Sequence, residues 1–318
     1  MAEARSRALA AGRRILPWAV GAAILVVVVL RVPFEAFRAA IGHGPHVTLA
    51  TVDFVVVVVT LGTDSVATWL GLLALRLRRP LAHVAAVRGA TFVLFLLNYA
   101  LGQGGFGYYL HRTGTPARRA VGATLFLIGT NLATLLLVTS IACAAHGDDA
   151  SMGWFLPAGC AALAAYLVVI GIAPDFVRRR AVFAPLFDAG LRGHAIAMAS
   201  RLPHVLVMSL GIWWAMRAWG IEVPFVAGLT TMPIVVIAAA LPIAPAGLGT
   251  TQAALVYLFS DFATGATADE RNAVVLAFSI VHFVYSVLGI LVVGLVCIPV
   301  ARNLGAIASP QLPPTKSQ

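Results

Sequence analysis

Eight long apolar segments dominate the sequence and constrain its fold more than any short motif does. A stretch of about 20 apolar residues is long enough to cross a bilayer as an α-helix. Charged residues make up only 11% of the 318-residue chain, whereas a soluble domain carries about a quarter. The sequence therefore predicts an all-α polytopic membrane protein and excludes an ordinary cytosolic enzyme. The segments are approximately 15–30, 48–75, 89–110, 120–145, 152–173, 195–219, 224–259 and 273–301.

The charged residues between these segments predict how the chain crosses the membrane, because cytoplasmic loops are enriched in Lys and Arg. If every segment crossed once, the basic clusters at 76–88 and 112–119 would lie on opposite sides. They share one side if 89–110 enters from the cytoplasm and returns to it, and if 224–259 enters and leaves on the outer side. Both termini are then cytoplasmic. The basic residues predicted to lie away from the cytoplasmic boundary are Arg31, Arg38, Arg217 and Arg271.

Both fold-back segments contain residues that interrupt a helix. Glycine is frequent over 102–107 in the first segment, and proline and glycine are frequent over 241–249 in the second. Residues of these types end helices. We therefore expect the chain to reverse there, near the midplane of a hydrocarbon core about 30 Å thick. The arms of the second segment are long, so two short full crossings are an alternative.

The order of the segments repeats along the chain. Two spans, a re-entrant segment and a span start from the inside, and the same order follows from the outside. The predicted fold is six spanning helices plus two re-entrant segments in an inverted repeat. Its halves are about 15–145 and 152–301, in a single transmembrane domain between a basic tail, 1–14, and a short tail, 302–318. Such repeats are typical of transporters; coincidence in a helical scaffold is the alternative, because the halves share little sequence.

The breaks predict a binding site for an anionic group. A broken helix frees backbone N–H groups, which carry positive partial charge. Arginine at the mouth of the cavity would add a bidentate phosphate ligand. The alternatives are a kink whose polar side chains cap their own backbone, and an arginine that only fixes topology. The candidate substrate-binding residues are Asn98, Gln103, Gly104, Gly105, Arg112, Pro242, Gly247, Gly249, Thr250 and Gln252.

Ionisable residues within the apolar segments are candidates for a charge relay, because a charge inside the membrane is costly and needs a partner. Asp64 is the strongest candidate, and Asp53 lies three helical turns earlier on the same face or at the outer interface. For Arg201 the alternative is snorkelling to the interface. The candidates for the relay are Asp64, Arg201, His204 and His282.

Several classes of chemistry have no sequence signal. The chain lacks a Walker A motif and a G-x-S-x-G motif. Its cysteines are far apart in apolar runs, so we expect no metal and no cofactor. It has no soluble stretch long enough to bind nucleic acid. We expect a protein that is not an enzyme, and a homo-oligomer is left open. The cysteines are Cys143, Cys160 and Cys297.

The two broken segments resemble those of a known family, the transmembrane flippase-like domain of the lysylphosphatidylglycerol synthases, in a stand-alone form without the synthase domain. The resemblance covers roughly 15–300. It rests on Leu75-Arg76, on Asn98…Gly104-Gly105…Leu110-His111-Arg112…Gly114, and most specifically on Leu241-Pro242…Ala246-Gly247-Leu248-Gly249. The resemblance implies movement of a charged-headgroup lipid between leaflets. Family members often carry Glu where this chain has Phe106 and Gln252, so an anionic phospholipid or a lipid-linked sugar is favoured over an aminoacylated lipid.

These observations predict a lipid transporter of the bacterial cytoplasmic (inner) membrane, with membrane lipids as its partners. One alternative is an intramembrane enzyme that acts on a lipid headgroup through His282, His204 and Asp64. Another is a non-catalytic membrane scaffold, in which alanine would be tolerated at the glycine breaks.

Overall fold

The computed structural model describes residues 22–97, 99–146, 155–240 and 247–307. In these ranges the regular structure is helical, with no β-strand. The predictions for Asn98, Pro242, residues 15–21 of the first apolar segment, the tail 1–14 and residues 308–318 lie outside the described residues. The helices are α1 (22–29), α2 (Phe34–Gly42), α3 (His46–Ala74), α4 (Leu81–Leu97), α5 (Tyr99–Arg112), α6 (Ala117–His146), α7 (Phe155–Ile172), α8 (Asp175–Arg178), α9 (Ala184–Ala218), α10 (Phe225–Ala240), α11 (Thr250–Phe259) and α12 (Ala268–Asn303).

Several helices have bounds close to those of the predicted apolar segments, but α9 and α4 start earlier than predicted. The helix α9 starts at Ala184, well before the predicted start at 195, and includes a non-helical Gly190 with φ 59°. The helix α4 likewise starts at Leu81, not at 89, because Pro80 precedes it and proline suits a helix start.

Four helices, α3, α6, α9 and α12, are long and apolar enough to cross a membrane. Their outward faces carry large apolar side chains. On α12 the exposed residues Val284, Leu288, Val292 and Leu295 follow helical spacing and so line one face. An exposed apolar surface of this extent is unfavourable in water and suits lipid. The chain is therefore a helical membrane protein, as its composition indicates.

The helices α3 and α9 form the central pair, and they run antiparallel. Val56 lies beside Gly211, and Ala74 lies beside Gly193, at the other end of the contact. The small glycines let the two backbones approach closely, which is how helices commonly associate in a membrane.

The remaining helices pack around this pair in a pattern that repeats. The helix α12 packs on α2, α3 and α4, and the helix α6 packs on α7, α9 and α10. Exchanging α2, α3, α4 and α12 with α7, α9, α10 and α6 therefore turns one set of contacts into the other. The first half of the chain is completed by a helix from the second half, and the reverse also holds.

The helices α4 and α5 fold back on one another as a hairpin. Arg88 of α4 donates to Gln103 of α5, and the two residues could not meet along one continuous helix because it would separate them by about 22 Å. The ends of the hairpin also meet, because Arg79 donates to the backbone oxygen of Thr113 at 2.9 Å. The predicted return of this segment to its starting side is thus matched by the packing.

The prediction that the glycine run 102–107 breaks the first segment is wrong. These residues are helical within α5, because α4 ends at Leu97 and α5 begins at Tyr99, ahead of the glycine run. The glycines serve close packing instead. A Cβ at Gly102 would overlap the ring of Phe95, and one at Gly105 would meet Leu94 and Thr91 of α4.

The helices α10 and α11 form a second hairpin. Thr250 at the start of α11 donates to the backbone oxygen of Ala238 near the end of α10 at 3.4 Å. Beyond the other ends of the two helices, the backbone N–H of Glu222 donates to the oxygen of Phe262 at 3.1 Å. In each hairpin, therefore, the start of the first helix lies near the end of the second helix.

Two apolar cores occupy opposite ends of the bundle, and the charges differ between these ends. One core includes Leu72, Leu110 and Phe126, and the other includes Leu49, Met216 and Phe259. The loops and helix ends around the first core carry Arg76, Arg78, Arg79, Arg112, Arg118 and Arg119, and those around the second carry Glu222, Asp261, Asp269 and Glu270. We call these the basic end and the acidic end.

Candidate functional site

A buried cluster of charged side chains lies where the two halves meet. Asp64 of α3 accepts a bond from the Nε of Arg88 at 2.6 Å and one from Arg201 of α9 at 2.9 Å. All three side chains are at most 3% exposed. Asp64 is thus held from both sides, by the first hairpin and by the central helix of the second half. We call these three residues the charged cluster.

Polar and aromatic side chains of the first hairpin surround Arg88. Its Nη1 donates to the Oε1 of Gln103 at 3.1 Å, and the amide of Gln103 donates to the Tyr99 hydroxyl at 3.0 Å. The Arg88 guanidinium also lies 5.3 Å from the ring centre of Phe95 and 5.5 Å from that of Phe106. A desolvated guanidinium over an aromatic face is stabilised by about 2 kcal/mol, which favours a charged Arg88 in this position.

The charged cluster holds more positive than negative charge. Arginine does not lose its proton in proteins, so two guanidiniums face one carboxylate. Arg201 also donates to the Thr68 hydroxyl at 3.4 Å, yet its buried Nε has no hydrogen-bond partner among the described residues. An unbalanced buried charge is costly, and an anion that joined the cluster would reduce that cost.

His204 follows Arg201 on the same face of α9. It is 8% exposed, and its Nδ1 has no hydrogen-bond partner within the described part of the chain. The alternative in which Arg201 snorkels to an interface does not fit its side chain, which is 2% exposed and bound to Asp64. Arg88 and Arg201, which the charge pattern placed at the cytoplasmic boundary, have side chains that are buried inside the helix bundle.

A second buried polar pair lies nearer the acidic end. The Nδ1 of His282 in α12 lies 2.8 Å from the Oδ1 of Asp53 in α3, and these side chains are 16% and 1% exposed. The hydroxyl of Tyr285, one turn further along α12, lies 3.1 Å from the Nδ1 of His46. We call Asp53 and His282 the acid–histidine pair. His282 is bound to Asp53, which lies eleven residues before Asp64 along α3. His282 and Asp64, both proposed for an intramembrane enzyme, are therefore not part of one cluster.

The polar residues of the second hairpin bond to their own segment. The Oε1 of Gln252 accepts from the backbone N–H of Gly249 at 2.6 Å, and the hydroxyl of Thr250 donates to the oxygen of Gly247 at 3.0 Å. Gly247 and Gly249 have φ values of 72° and 82°, which glycine adopts without strain. The alternative interpretation of these residues as caps of their own backbone is therefore correct for Thr250 and Gln252.

Other predicted substrate-binding residues lie apart from the charged cluster. Arg112 is exposed at the end of α5, at the basic end. Gly104 faces away from the packed side of α5, and none of the described residues lies within 4 Å of a Cβ at this position. Gly105 faces α4. Of the predicted residues, the structure brings together Asp64, Arg201, Gln103 and His204, which lies near enough to Asp64 and Arg201 to interact with their charges.

Arg88 was missed by the sequence reasoning, which assigned it to a basic loop. The signal that could have found it is Pro80. A helix that starts after Pro80 runs through an apolar stretch to Leu97, and Arg88 is the only charged residue within it. A lone charge inside such a helix needs a buried partner.

An apolar groove of about 380 Å³ lies between α6, α7 and α9. Its lining includes Leu137, Leu167 and Leu191, and also Met198 and Leu202. Met198 and Leu202 flank Arg201 along α9, so the groove adjoins the helix that carries Arg201 of the charged cluster.

Comparison with models of known protein families gives no match, and comparison with curated proteins gives no significant match.

Proposed function

We propose that this protein is a transporter that moves a lipid with an anionic headgroup between the leaflets of the bacterial cytoplasmic membrane. The observation that carries the proposal is the excess positive charge of the charged cluster. Asp64 neutralises only one of two buried guanidiniums. A buried site of this kind attracts a phosphate and disfavours a cationic group.

The proposed topology has six spanning helices and two re-entrant hairpins in an inverted repeat. The antiparallel contact of α3 with α9 supports it, because equivalent helices of an inverted repeat run in opposite directions. The repeated packing pattern and the fold-back of both hairpins support it as well. Cytoplasmic loops are rich in arginine, so the basic end faces the cytoplasm, where Arg112 would attract headgroups.

Binding would use groups that the folded chain leaves available. A phosphate oxygen would accept a bond from the Nε of Arg201, which has no other partner among the described residues. One acyl chain of the same lipid would lie in the apolar groove along Met198 and Leu202. The resemblance to the flippase-like domain family agrees with this function, and the absence of a Glu at Phe106 and Gln252 agrees with an anionic substrate.

The decisive variant is Arg201→Gln. It removes the excess charge but keeps the balanced pair of Asp64 and Arg88, so the protein should fold. In proteoliposomes we expect movement of fluorescent phosphatidylglycerol to fall at least about tenfold, which corresponds to the loss of about 1.4 kcal/mol of binding. The measurement is the fraction of label that a membrane-impermeant quencher can reach over time, against protein-free liposomes.

The matched control is Arg217→Gln, on the same helix. Arg217 is exposed at the acidic end and stacks on Trp213, so its loss should leave the rate unchanged. Equal rates for wild type, Arg201→Gln and Arg217→Gln would contradict the proposed site. Absence of movement of phosphatidylglycerol and of other anionic phospholipids by the wild-type protein would contradict the proposed function for phospholipids.

A further inference from the structure

We propose that the acid–histidine pair is a proton-binding site, and that it couples lipid movement to proton movement across the membrane. The inference rests on the proposed function and names its coupling ion. The proton would bind to an imidazole nitrogen of His282 from one aqueous side and leave to the other, so the step moves one proton and changes no covalent bond elsewhere.

The charged cluster is poorly suited to carry a proton. Both oxygens of Asp64 accept bonds from guanidiniums, and arginine keeps its proton under all ordinary conditions. The acid–histidine pair differs in its base, because histidine is the side chain that changes charge near neutral pH. Its carboxylate also differs, since the buried Oδ2 of Asp53 has no hydrogen-bond partner among the described residues.

The charge of the pair depends on one proton. When Asp53 is ionised, its Oδ1 accepts the Nδ1–H of His282, and the second proton goes to Nε2. The protonated pair is neutral overall, whereas the deprotonated pair leaves a single negative charge on a side chain that is 1% exposed. Burying an uncompensated carboxylate is costly, so loss of the proton favours any conformation that admits water to α3 and α12. This links proton binding to the packing of the two halves.

Neighbouring titratable groups form a line towards the acidic end. Tyr285 lies one turn from His282 on α12, and its hydroxyl contacts His46 at the start of α3. The ring of Phe278 stacks on His282 at 5.3 Å between centres. His46 is partly exposed, so its contact with Tyr285 leads from the surface at the acidic end to a hydroxyl one helical turn from His282.

The helices that pack on α12 contribute few other charges. The helix α2 carries Glu35 and Arg38, both exposed. The helix α4 carries His83, partly exposed, and Arg88, which is bound to Asp64. The helix α11 carries Tyr257, which is 78% exposed. Within the described part of the chain, the hydrogen bond and ion pair of Asp53 with His282 involve none of these groups.

The test imposes a pH difference of one unit across proteoliposomes, with the membrane potential held at zero, and follows fluorescent phosphatidylglycerol. Coupling of one proton to one lipid predicts an equilibrium ratio between leaflets of about tenfold. We expect this ratio in wild type, and about equal leaflets in His282→Gln and Asp53→Asn. The control His43→Gln changes an exposed histidine near the acidic end and should keep the full ratio.

The outcomes of this transport test, together with one further measurement, distinguish the ways in which the inference can fail. If wild type moves lipid but the ratio between leaflets does not respond to the pH difference, the coupling is overturned and the proposed function is unaffected. Absence of any lipid movement would overturn the proposed function. The site itself is tested by NMR of protein labelled at histidine nitrogens in nanodiscs, with His282→Gln to assign the signal. A His282 signal that changes when the sample is acidified supports the site, and one that stays constant overturns it without any transport measurement.

Tyr285→Phe keeps the aromatic packing and removes only the hydroxyl that contacts His46. It tests the line of groups if His282→Gln fails to fold. We expect the final leaflet ratio to be unchanged and the approach to it to be slower. A rate equal to that of wild type would exclude Tyr285 from the path.

Discussion

The hairpins α4–α5 and α10–α11 fold back alike, but different bonds hold them. The first carries a buried guanidinium, Arg88, which ties it to Asp64 and, through that residue, to Arg201 of the other half. The second has no charged residue on either helix, and its Thr250 and Gln252 side chains bond within the hairpin. The comparison teaches that one hairpin is coupled to the rest of the bundle by charge, whereas the other is internally capped and held by apolar packing.

The largest expected effect comes from Asp64→Asn. The variant leaves two buried guanidiniums without a counter-charge, and loss of one partner of a buried ion pair costs about 3–5 kcal/mol. We expect a large fall in the midpoint temperature of unfolding in detergent, measured by tryptophan fluorescence. Arg201→Gln, which leaves a balanced pair, should fall much less.

A surface carboxylate provides the control for Asp64→Asn. Asp261 pairs with Arg271 at 3.6 Å, but its side chain is 93% exposed. Asp261→Asn should change stability by at most about 1 kcal/mol. Equal midpoints for the two aspartate variants would show that the charged cluster does not couple the first hairpin to the second half.

A smaller effect is expected from Gly102→Ala, which acts on packing within the first hairpin. A methyl group at Gly102 would overlap the ring of Phe95, and overpacking of this kind costs about 1–3 kcal/mol. The matched control is Gly104→Ala in the same helix, where the part of the chain that the structure describes has no atom within 4 Å of the new Cβ. Alanine is the better helix former by about 1 kcal/mol, so Gly104→Ala should be neutral or stabilising.

Thermal unfolding of the two glycine variants side by side measures the difference. A scaffold without a tightly packed hairpin would tolerate both changes equally. Equal stability of Gly102→Ala and Gly104→Ala would therefore contradict a role for the α5 glycines in close packing against α4.

The smallest effect is expected in the second hairpin, from Gln252→Leu. The variant removes the acceptor for the Gly249 N–H, and loss of a helix cap costs about 1 kcal/mol. Because the bond is local, we expect no change in the preference for anionic over neutral lipids in the quencher assay. The control Thr251→Val alters the preceding residue, whose hydroxyl has no partner among the described residues, and should be neutral. A loss of lipid preference in Gln252→Leu would show that Gln252 contacts substrate.

Much of the fold was predictable because hydropathy acts over long windows. The bounds of α3, α6 and α12 lie close to the predicted segments, since a helix that must cross lipid has few ways to vary its length. The fold-back of 89–110 was also predictable from charge. Its turning point was not, because the glycine run has two physical uses. Glycine breaks helices, but within lipid it also allows close helix packing, and in α5 the second use applies.

The partners of buried charges were less predictable. Asp64 and Arg201 stand out as ionisable residues in apolar segments, but their contact joins helices far apart in sequence. Arg88 was hidden by its position beside a basic loop. Asp53 and His282 come from opposite ends of the chain, and no local pattern relates them. Tertiary packing decides such pairs, so the sequence indicates that partners exist and leaves their identity open.

The contacts of α12 have a consequence for biogenesis. This helix packs on α2, α3 and α4, and a Cβ at Gly89 of α4 would overlap Cys297 of α12, so the join is close. Residues 98–267 lie between α4 and α12, and at ordinary rates of synthesis a ribosome needs roughly 10–30 s to make them. During that interval the faces of α2, α3 and α4 that pack on α12 in the folded protein lack this partner. In a nascent chain these faces must stay exposed to lipid, or be covered by the insertion machinery, until α12 has been made.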